Sequence, residues 1–186
     1  MRSRTAIQSH TVIGSRTVTR SHTVIPSAVG PLTLVAEAGA IVGLYMDLQR
    51  HRPDDDELGE EDQRGREAEP FKAAADQLDA YFAGTLTRFT VPLTPRGSDF
   101  QQRVWAALQE IPYGETESYG ELATRIGSPG AARAVGLANG KNPIGIVIPC
   151  HRVVGSNGNL TGYGGGLDRK KQLLDLELAV SGAALF

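Results

Sequence analysis

Alternating and clustered apolar positions predict that the first half of the chain is built on a small antiparallel sheet. The segment from Ser21 to Ile25 combines a period-2 pattern with Thr and Val, and this is typical of a strand. Two apolar runs, residues 32–36 and 41–46, flank a short turn and predict a β-hairpin. Residues 90–93 have the composition of a short edge strand or linker.

One amphipathic helix is predicted after this hairpin. Apolar side chains recur at helical spacing from Phe71 to Phe82, and Gly84 ends the segment. Residues 50–69, between the hairpin and the helix, are charged and nearly free of apolar groups, so we expect a mobile acidic loop there. Residues 21–93 therefore read as an α/β domain that carries no candidate chemistry and serves as a scaffold.

A repeated segment precedes this domain. The five residues Ser9–Ile13 recur as Ser21–Ile25, and a related copy, Ser15–Thr19, stands between them. Two copies and a fragment do not establish a repeat architecture. We treat the second copy as the first strand of the domain and residues 1–20 as an extension of unknown role.

Helix start signals dominate the second half of the chain. Two residue pairs match capping boxes, Ser98 with Gln101 and Ser118 with Glu121. In a capping box the side chain of each residue accepts a hydrogen bond from the main-chain N–H of the other. The first box predicts a helix that runs to about Ile111, and the second predicts a short helix.

A second short helix completes a predicted helix-turn-helix. It spans residues 130–139, with Ser128 as its N-cap, Pro129 at its first position and Gly140 as its C-terminal cap. Small residues cover most of it, and Arg133 is the long exception. Such a smooth helix can pack closely against a neighbouring element or press into a DNA groove.

The last predicted helix spans about residues 168–180 and contains one acidic residue on its apolar face. That residue is Glu177, and the apolar face is formed by Leu173, Leu174, Leu176 and Val180. A carboxylate buried without a partner is costly. We therefore expect Glu177 either to bind His151 or Arg152 or to reach the edge of the helix.

Residues 146–154 hold the candidate chemistry. Their β-branched run predicts a buried strand, which Pro149 interrupts because it has no N–H to donate. Cys150, the only Cys, and His151 follow directly. A base can make a thiol nucleophilic, yet neighbouring side chains on a strand point to opposite faces. The pair cooperates only if the chain bends at Pro149 or a water bridges the two side chains. A lone buried Cys is otherwise an ordinary core residue.

Composition and charge limit the possibilities. The chain has 186 residues, of which 40% are hydrophobic, and this is enough for a core. One Cys excludes an internal disulfide and a Cys-rich zinc site, and it fits a reducing cytoplasm. No apolar run approaches the ~20 residues of a membrane helix. The net charge is −2, but residues 122–167 carry four basic residues and no acidic one, whereas residues 54–62 are strongly acidic. A local positive face can bind phosphates.

One motif carries a family resemblance. Pro149-Cys150-His151-Arg152-Val153, preceded by Asn142-Pro143 and followed by Tyr163-Gly164-Gly165, closely resembles the O6-alkylguanine-DNA alkyltransferases. The resemblance covers about residues 70–180. It implies an irreversible transfer of an alkyl group from O6 of guanine, with O4 of thymine as a second target, to Cys150. Each protein molecule would react once, on a base flipped out of the duplex.

The resemblance also implies the fold and the catalytic residues. The α/β (α+β) domain would be followed, over residues 97–186, by a mostly helical domain with a winged-helix-like helix-turn-helix and the active-site Cys loop. Glu177 would orient His151, and His151 would take the Cys150 proton through a water. Tyr119 matches the tyrosine that donates a hydrogen bond to guanine N3.

Further residues match substrate and DNA contacts of the family. Asn142 braces the turn between the helix-turn-helix and the Cys loop, and main-chain groups of Cys150 and Val153 accept from the guanine amino group. Tyr163 and Gly164 form a lid over O6. Some family members have Ser where Gly164 stands, so a main-chain N–H must serve there. The DNA-binding candidates are Arg133, Ala131, Ala132, Gly136, Arg125 and Lys141.

Three other functions use some of the same features. A cysteine hydrolase or acyltransferase could use the Cys-His-Glu set, but it would need an oxyanion hole and multiple turnovers. A non-catalytic module that binds alkylated DNA would lack the reactive Cys, and a transcriptional regulator would need only the helix-turn-helix. We expect a cytoplasmic monomer that acts on double-stranded DNA containing O6-alkylguanine through the minor groove. We expect no cofactor, no metal, no membrane and no obligate protein partner.

Overall fold

The computed structural model describes residues 11–13 and 16–183, with side chains described from 19 to 182. Most of the predicted extension, residues 1–20, lies outside the part whose side chains are described. The strands are β1 (Thr11–Ile13), β2 (Arg16–Val18), β3 (Arg20–Ile25), β4 (Leu32–Glu37), β5 (Ala40–Met46), β6 (Glu60–Glu61), β7 (Glu117–Ser118) and β8 (Val153–Val154). The helices are α1 (Phe71–Phe82), α2 (Asp99–Leu108), α3 (Tyr119–Arg125), α4 (Ala132–Gly140) and α5 (Leu167–Ala183).

The main sheet has the strand order β5-β4-β3-β6. The predicted hairpin is confirmed, because β4 pairs antiparallel with β5. The second copy of the repeat forms β3, which is antiparallel to β4. The fourth strand, β6, runs parallel to β3, so the sheet is mixed rather than purely antiparallel. Leu93 makes a single bridge to Ile41, as a short edge segment would.

The acidic segment, residues 50–69, contains more regular structure and packs more closely against the sheet than its composition predicts. It contains β6 and two 3₁₀ turns, Asp55–Glu57 and Gly65–Glu67. Its Leu58 is 2% exposed and packs in a small cluster with Val35, Val42 and Tyr45. One apolar side chain therefore anchors the segment to the sheet, although the sequence around it is polar.

Three of the four helices that follow residue 97 begin within one residue of the predicted start, and α4 is the exception. Both capping boxes form, at Ser98 and Ser118. Helix α4 begins later than predicted, since Gly130 has φ +84°, which a right-handed helix does not allow. Ala131 is the N-cap and no side chain caps the helix, so the predicted roles of Ser128 and Pro129 are wrong. Gly140 is the last helical residue rather than a residue beyond the end.

A single hydrophobic core runs through both halves of the chain. It includes Leu34 of β4, Phe71 of α1, Trp105 of α2, Val135 of α4 and Leu173 of α5. The short pair β7–β8 is parallel and joins the start of α3 to the segment after Cys150. The core and this pair place the helix-turn-helix, α3 and α4, directly beside the Cys segment.

No helix among residues 16–183 has the length and apolar character that a membrane crossing requires.

Candidate active site

Cys150 lies in a buried turn and not in a strand. Residues 146–148 form turns, and Cys150–Arg152 is a 3₁₀ turn that follows Pro149. The predicted strand over 146–154 is therefore wrong except at β8. The Asn142 amide explains the difference, since its Oδ1 accepts from the Ile144 N–H at 3.0 Å and its Nδ2 donates to the Ile148 carbonyl at 2.8 Å. These bonds replace ladder bonds and brace the turn as predicted for Asn142.

The turn stores backbone strain next to Cys150. Ile146 has φ +68°, and its side chain is 1% exposed. A β-branched residue in the left-handed region costs about 1–3 kcal/mol and persists only where the surroundings impose it. Here the Gly145 N–H donates to the Leu44 carbonyl of β5. The sheet of the first half thus helps to hold the Cys150 turn.

His151 and Glu177 form a buried pair. His151 Nε2 lies 2.7 Å from Glu177 Oε1, and neither side chain has exposed surface. Burial tends to raise the pKa of Glu177, but hydrogen bonds from His151 and Arg152 and the charge of Arg152 lower it to about 2. An ionised carboxylate only accepts, so Nε2 carries the hydrogen and neutral His151 offers its lone pair at Nδ1. Nδ1 is buried and has no hydrogen-bond partner in the part of the chain that is described.

Arg152 also binds the Glu177 carboxylate. Its Nε donates to Glu177 Oε2 at 2.8 Å and its Nη2 donates to Oε1 at 3.0 Å. Both partners that were predicted for Glu177 are therefore present. Burial lowers the pKa of His151, against the opposing effect of Glu177, so His151 is neutral and can accept a proton near neutral pH.

The Cys150 thiol is protonated in this environment. The residue is 6% exposed, and burial raises the pKa of the thiol. The side chains of Asn142 and Lys170 lower it in part. No hydrogen bond joins Cys150 Sγ directly to the His151 ring among the described residues, so a proton passing between them needs an intermediary. The thiol therefore requires a base at the moment of reaction.

Tyr119 and Arg133 line one cleft, whose walls do not include Cys150, His151 or Glu177. The cleft has a volume of about 540 Å³, and its walls include Gly136, Leu137, Thr161 and Gly162. The Tyr119 hydroxyl donates to the Thr161 carbonyl at 3.1 Å, and burial followed by the nearby Cys150 raises its pKa. Gly136 faces the Tyr119 ring, where a Cβ would lie 3.7 Å away. The first residue of α3 and one face of α4 thus share the cleft.

The predicted DNA-binding residues fall into two groups. Arg133 and Lys141 are exposed, and Ala132 and Gly136 lie on the cleft, with Ala131 next to them at the N-cap. Arg125 does not belong with them. Its guanidinium bonds the carboxylates of Glu117 and Glu110 and the Ala107 carbonyl. Glu110 and Glu117 lie outside the acid-free stretch of the sequence, and they occupy the Arg125 guanidinium in the free protein. DNA binding by Arg125 stays a prediction.

The remaining substrate candidates lie around the Cys turn. The Val153 carbonyl accepts from Lys170 Nζ at 2.6 Å, and the Cys150 carbonyl accepts from Asn139 Nδ2 at 3.3 Å. The Cys150 carbonyl also accepts from the Val153 N–H, so its two lone pairs are both occupied. The Tyr163 hydroxyl is buried without a partner among residues 19–182, and the Gly164 carbonyl accepts from the Arg50 N–H. The lid segment is therefore fastened to the sheet half.

Comparisons with known proteins agree with this arrangement. Residues 21–95 match the 6-O-methylguanine DNA methyltransferase, ribonuclease-like domain, and residues 99–179 match the DNA binding domain of the same enzyme. The chain is 56% identical over 153 residues to a methylated-DNA–protein-cysteine methyltransferase of Mycobacterium bovis, which covers 82% of this chain and 89% of the relative. The chain belongs to the 6-O-methylguanine DNA methyltransferase family.

Other relatives support the assignment to this family. A methylated-DNA–protein-cysteine methyltransferase of Methanosarcina acetivorans is 63% identical over 107 residues, which are 58% of this chain and 69% of that relative. The crystal structure of Mycobacterium tuberculosis OGT in complex with DNA superimposes with a TM-score of 0.80 at 54% identity, covering 86% of this chain and 94% of that one. The family match extends to residue 21, well before the segment in which the motif resemblance was found.

Three residues of this methyltransferase-family site escaped the sequence analysis. Lys170 is fully buried and its Nζ donates to the carbonyls of Val153, Thr161 and Gly162, while burial lowers its pKa to about 8. Leu137 is 65% exposed on α4. A large apolar residue one helical turn after Arg133, in a helix of small residues, was the signal in the sequence that could have found it. Tyr81 bonds Glu177 from α1, and no local pattern distinguishes it from a core aromatic residue.

Proposed function

We propose that the protein repairs alkylated DNA by moving an alkyl group from O6 of guanine to Cys150, with O4 of thymine as a second target. The observation that carries the proposal is the buried Glu177–His151 pair, which leaves a lone pair at Nδ1 of the residue that follows Cys150 in the chain. A hydrolytic or redox protein has no need to enclose such a pair behind a helix-turn-helix.

The proposed chemistry is a displacement at the alkyl carbon. A water carries the Cys150 proton to His151 Nδ1, and Glu177 stabilises the imidazolium that forms. The sulfur electron pair forms the C–S bond while the C–O6 bond breaks. The electron pair of the broken bond stays on guanine, and the Tyr119 hydroxyl donates a hydrogen bond to N3 as charge develops there. The proton held by His151 then neutralises the released guanine.

The proposed DNA contact is made by α4 in the minor groove. Ala131, Ala132 and Gly136 let the helix approach the duplex closely, and Arg133 fills the space that the flipped base leaves. The relative from Mycobacterium tuberculosis crystallised with DNA supports a DNA-binding role for this surface. Lys141, exposed at the end of α4, is placed to neutralise a phosphate.

The flipped base would lie between the Tyr119 cleft and the Cys turn. The carbonyls of Cys150 and Val153 would accept from the guanine amino group, and the Cys150 carbonyl would give up its bond from Asn139 to do so. Asn142 keeps these carbonyls in place through the turn that it braces, and the lid residues Tyr163 and Gly164 would close over O6 with a main-chain N–H as donor. Lys170 holds the Val153 carbonyl from behind and orients it.

The proposed reaction consumes the protein. An S-alkyl cysteine is a thioether, and an activated water that cleaves a thioester has no easy route to cleave a C–S bond. A cysteine hydrolase would instead need an acyl intermediate and an oxyanion hole. We place the reaction in the cytoplasm because a catalytic thiol must stay reduced and the cytoplasm keeps thiols reduced. We also propose that the protein acts as a monomer, without an obligate protein partner.

The test of this proposal follows the mass of the intact protein during incubation with duplex DNA that contains O6-methylguanine. The expected result is the addition of one methyl group, found on Cys150 after digestion. Cys150→Ser should still bind the duplex and gain no mass. Methylation elsewhere, or transfer by the Ser variant, would refute the proposal.

A further inference from the structure

Tyr81 brings the sheet half of the molecule into contact with the catalytic carboxylate. It lies on α1, in the half that the sequence presents as a scaffold, and its side chain has no exposed surface. Its hydroxyl donates to Glu177 Oε1 at 2.7 Å, across 96 positions of sequence. Glu177 is therefore held from both halves of the chain.

Tyr81 and His151 bind the same oxygen of Glu177. Oε1 lies 2.7 Å from the Tyr81 hydroxyl, 2.7 Å from His151 Nε2 and 3.0 Å from Arg152 Nη2. Oε2 accepts from Arg152 Nε and from the Gly114 N–H. Each hydrogen bond donated to Oε1 stabilises its negative charge and weakens the attraction of that oxygen for the other donors. The strength with which Glu177 holds the His151 proton therefore depends on the Tyr81 hydroxyl.

Packing alone does not explain a tyrosine at this position. The ring lies 5.3 Å from Phe82, 5.4 Å from Phe89 and 5.9 Å from Tyr113, measured between centroids, and a phenylalanine ring would make these contacts as well. A buried hydroxyl is costly unless it is hydrogen-bonded. Burial, followed by the Glu177 charge, raises the pKa of Tyr81, so the group stays a donor at any working pH.

We propose that Tyr81 is a positioning residue for alkyl transfer, which fixes the Glu177 carboxylate and limits how strongly His151 holds a proton. This inference rests on the proposed function of Cys150, His151 and Glu177. Without the hydroxyl, Oε1 has one donor fewer, so the imidazolium form of His151 is stabilised. Proton uptake by His151 then begins at higher pH and removes the base that the thiol needs.

The test compares Tyr81→Phe with wild type in two reactions across the pH range in which imidazole titrates. One reaction is methyl transfer from duplex DNA containing O6-methylguanine. The other is alkylation of Cys150, the only thiol, by iodoacetamide, followed by mass spectrometry. We expect the acid limb of both rate profiles to move to higher pH by about half a unit or more. Four other titratable or charged groups face the His151–Glu177 pair, and the Tyr81→Phe variant keeps all of them: Arg152, Tyr113, Lys170 and Cys150.

Tyr113→Phe is the matched control. Its hydroxyl is also buried in the aromatic cluster and has no hydrogen-bond partner among the described side chains, so its removal should leave both acid limbs in place. A Tyr81→Phe profile that coincides with wild type, or equal shifts in both variants, would overturn the inference.

A second substitution covers the case in which Tyr81→Phe fails to fold. Replacing Tyr81 with 3-fluorotyrosine keeps the ring and strengthens the donor, so the acid limb should move to lower pH. An unchanged limb would refute the role of Tyr81. If wild type reacts with iodoacetamide but not with alkylated DNA, the proposed function fails, and the iodoacetamide profiles still decide the role of Tyr81.

Discussion

His151 Nε2 lies 2.7 Å from Glu177 Oε1, and both side chains are sealed from solvent. The contact fixes the tautomer of His151, because the carboxylate can only accept, and leaves Nδ1 as the basic atom. The two residues are 26 positions apart, and α5 supplies the carboxylate while the turn after Pro149 supplies the ring. Under the proposed mechanism, the reactivity of Cys150 depends on a charge that sits on another element.

Glu177→Gln should slow methyl transfer, because it removes this charge while keeping the shape of the side chain. We expect a loss of roughly 10–100-fold, as when an orienting partner of a metal-bound histidine is removed. Single-turnover rates with a methylated duplex measure the loss. A variant that reacts at the wild-type rate at every pH would contradict the role of Glu177.

The same substitution should change the acid stability of the fold. The folded-state pKa of Glu177 is about 2, lower than the ordinary value of 4.5, so the folded state binds fewer protons between these values. The carboxylate therefore contributes stability above pH 4.5, about 3 kcal/mol, which is lost as the pH falls towards 2. In urea unfolding at decreasing pH, the advantage of wild type over Glu177→Gln should shrink across this window. A constant difference would mean that the charge does not stabilise the fold.

Arg133→Ala should impair repair of duplex DNA far more than reaction with the free O6-methylguanine base. Flipping a base out of the stack costs a few kcal/mol, so losing a residue that fills the gap should cost roughly tenfold or more in duplex repair. The ratio of the two rates is the quantity to measure.

Arg103→Ala provides the control for this ratio. Arg103 is an exposed arginine on α2, away from the residues that line the cleft. Its replacement should leave the ratio of duplex to free-base rates at the wild-type value. Equal losses on both substrates in Arg133→Ala would exclude a role in holding the flipped-out state.

Lys141 and Arg125 should differ in how they affect the salt dependence of DNA binding. Lys141→Ala should reduce the slope of log affinity against log salt by about 1, the change expected for one lost phosphate contact. Arg125→Gln should leave the slope unchanged and cost about 1 kcal/mol of stability, since its side chain is one third exposed and pairs with a largely exposed Glu110 and a partly buried Glu117. The opposite pattern would restore Arg125 to the DNA-binding set.

Local signals predicted the helices and the partner of Glu177 well. Both capping boxes form as the Ser98 and Ser118 patterns indicate, because they depend on residues three apart. Glu177 was expected to find His151 or Arg152 from its place on an apolar face, and it binds both. The capping boxes follow from chemistry within one turn of chain, whereas the Glu177 pairing follows from the cost of burying a carboxylate without a partner.

The features that the sequence did not predict depend on side-chain contacts that no hydrophobic or capping pattern reveals. The β-branched run at 146–148 becomes a turn because the Asn142 side chain takes over its main-chain bonds. Arg125 is occupied by carboxylates at positions 110 and 117. Tyr81 reads as a core aromatic residue until α5 is brought against α1. The residue types in the site were visible in the sequence, but their pairing required the fold.

The central claim is that Cys150 accepts one alkyl group and then stops. The most direct test is a titration of duplex DNA containing O6-methylguanine against a fixed amount of protein, followed to completion by intact mass. The result expected is a plateau at about one methyl group per protein molecule, all of it on Cys150, since a thioether cannot be cleaved by the His151-activated water. Continued turnover beyond the amount of protein present would contradict the claim and favour a cysteine hydrolase.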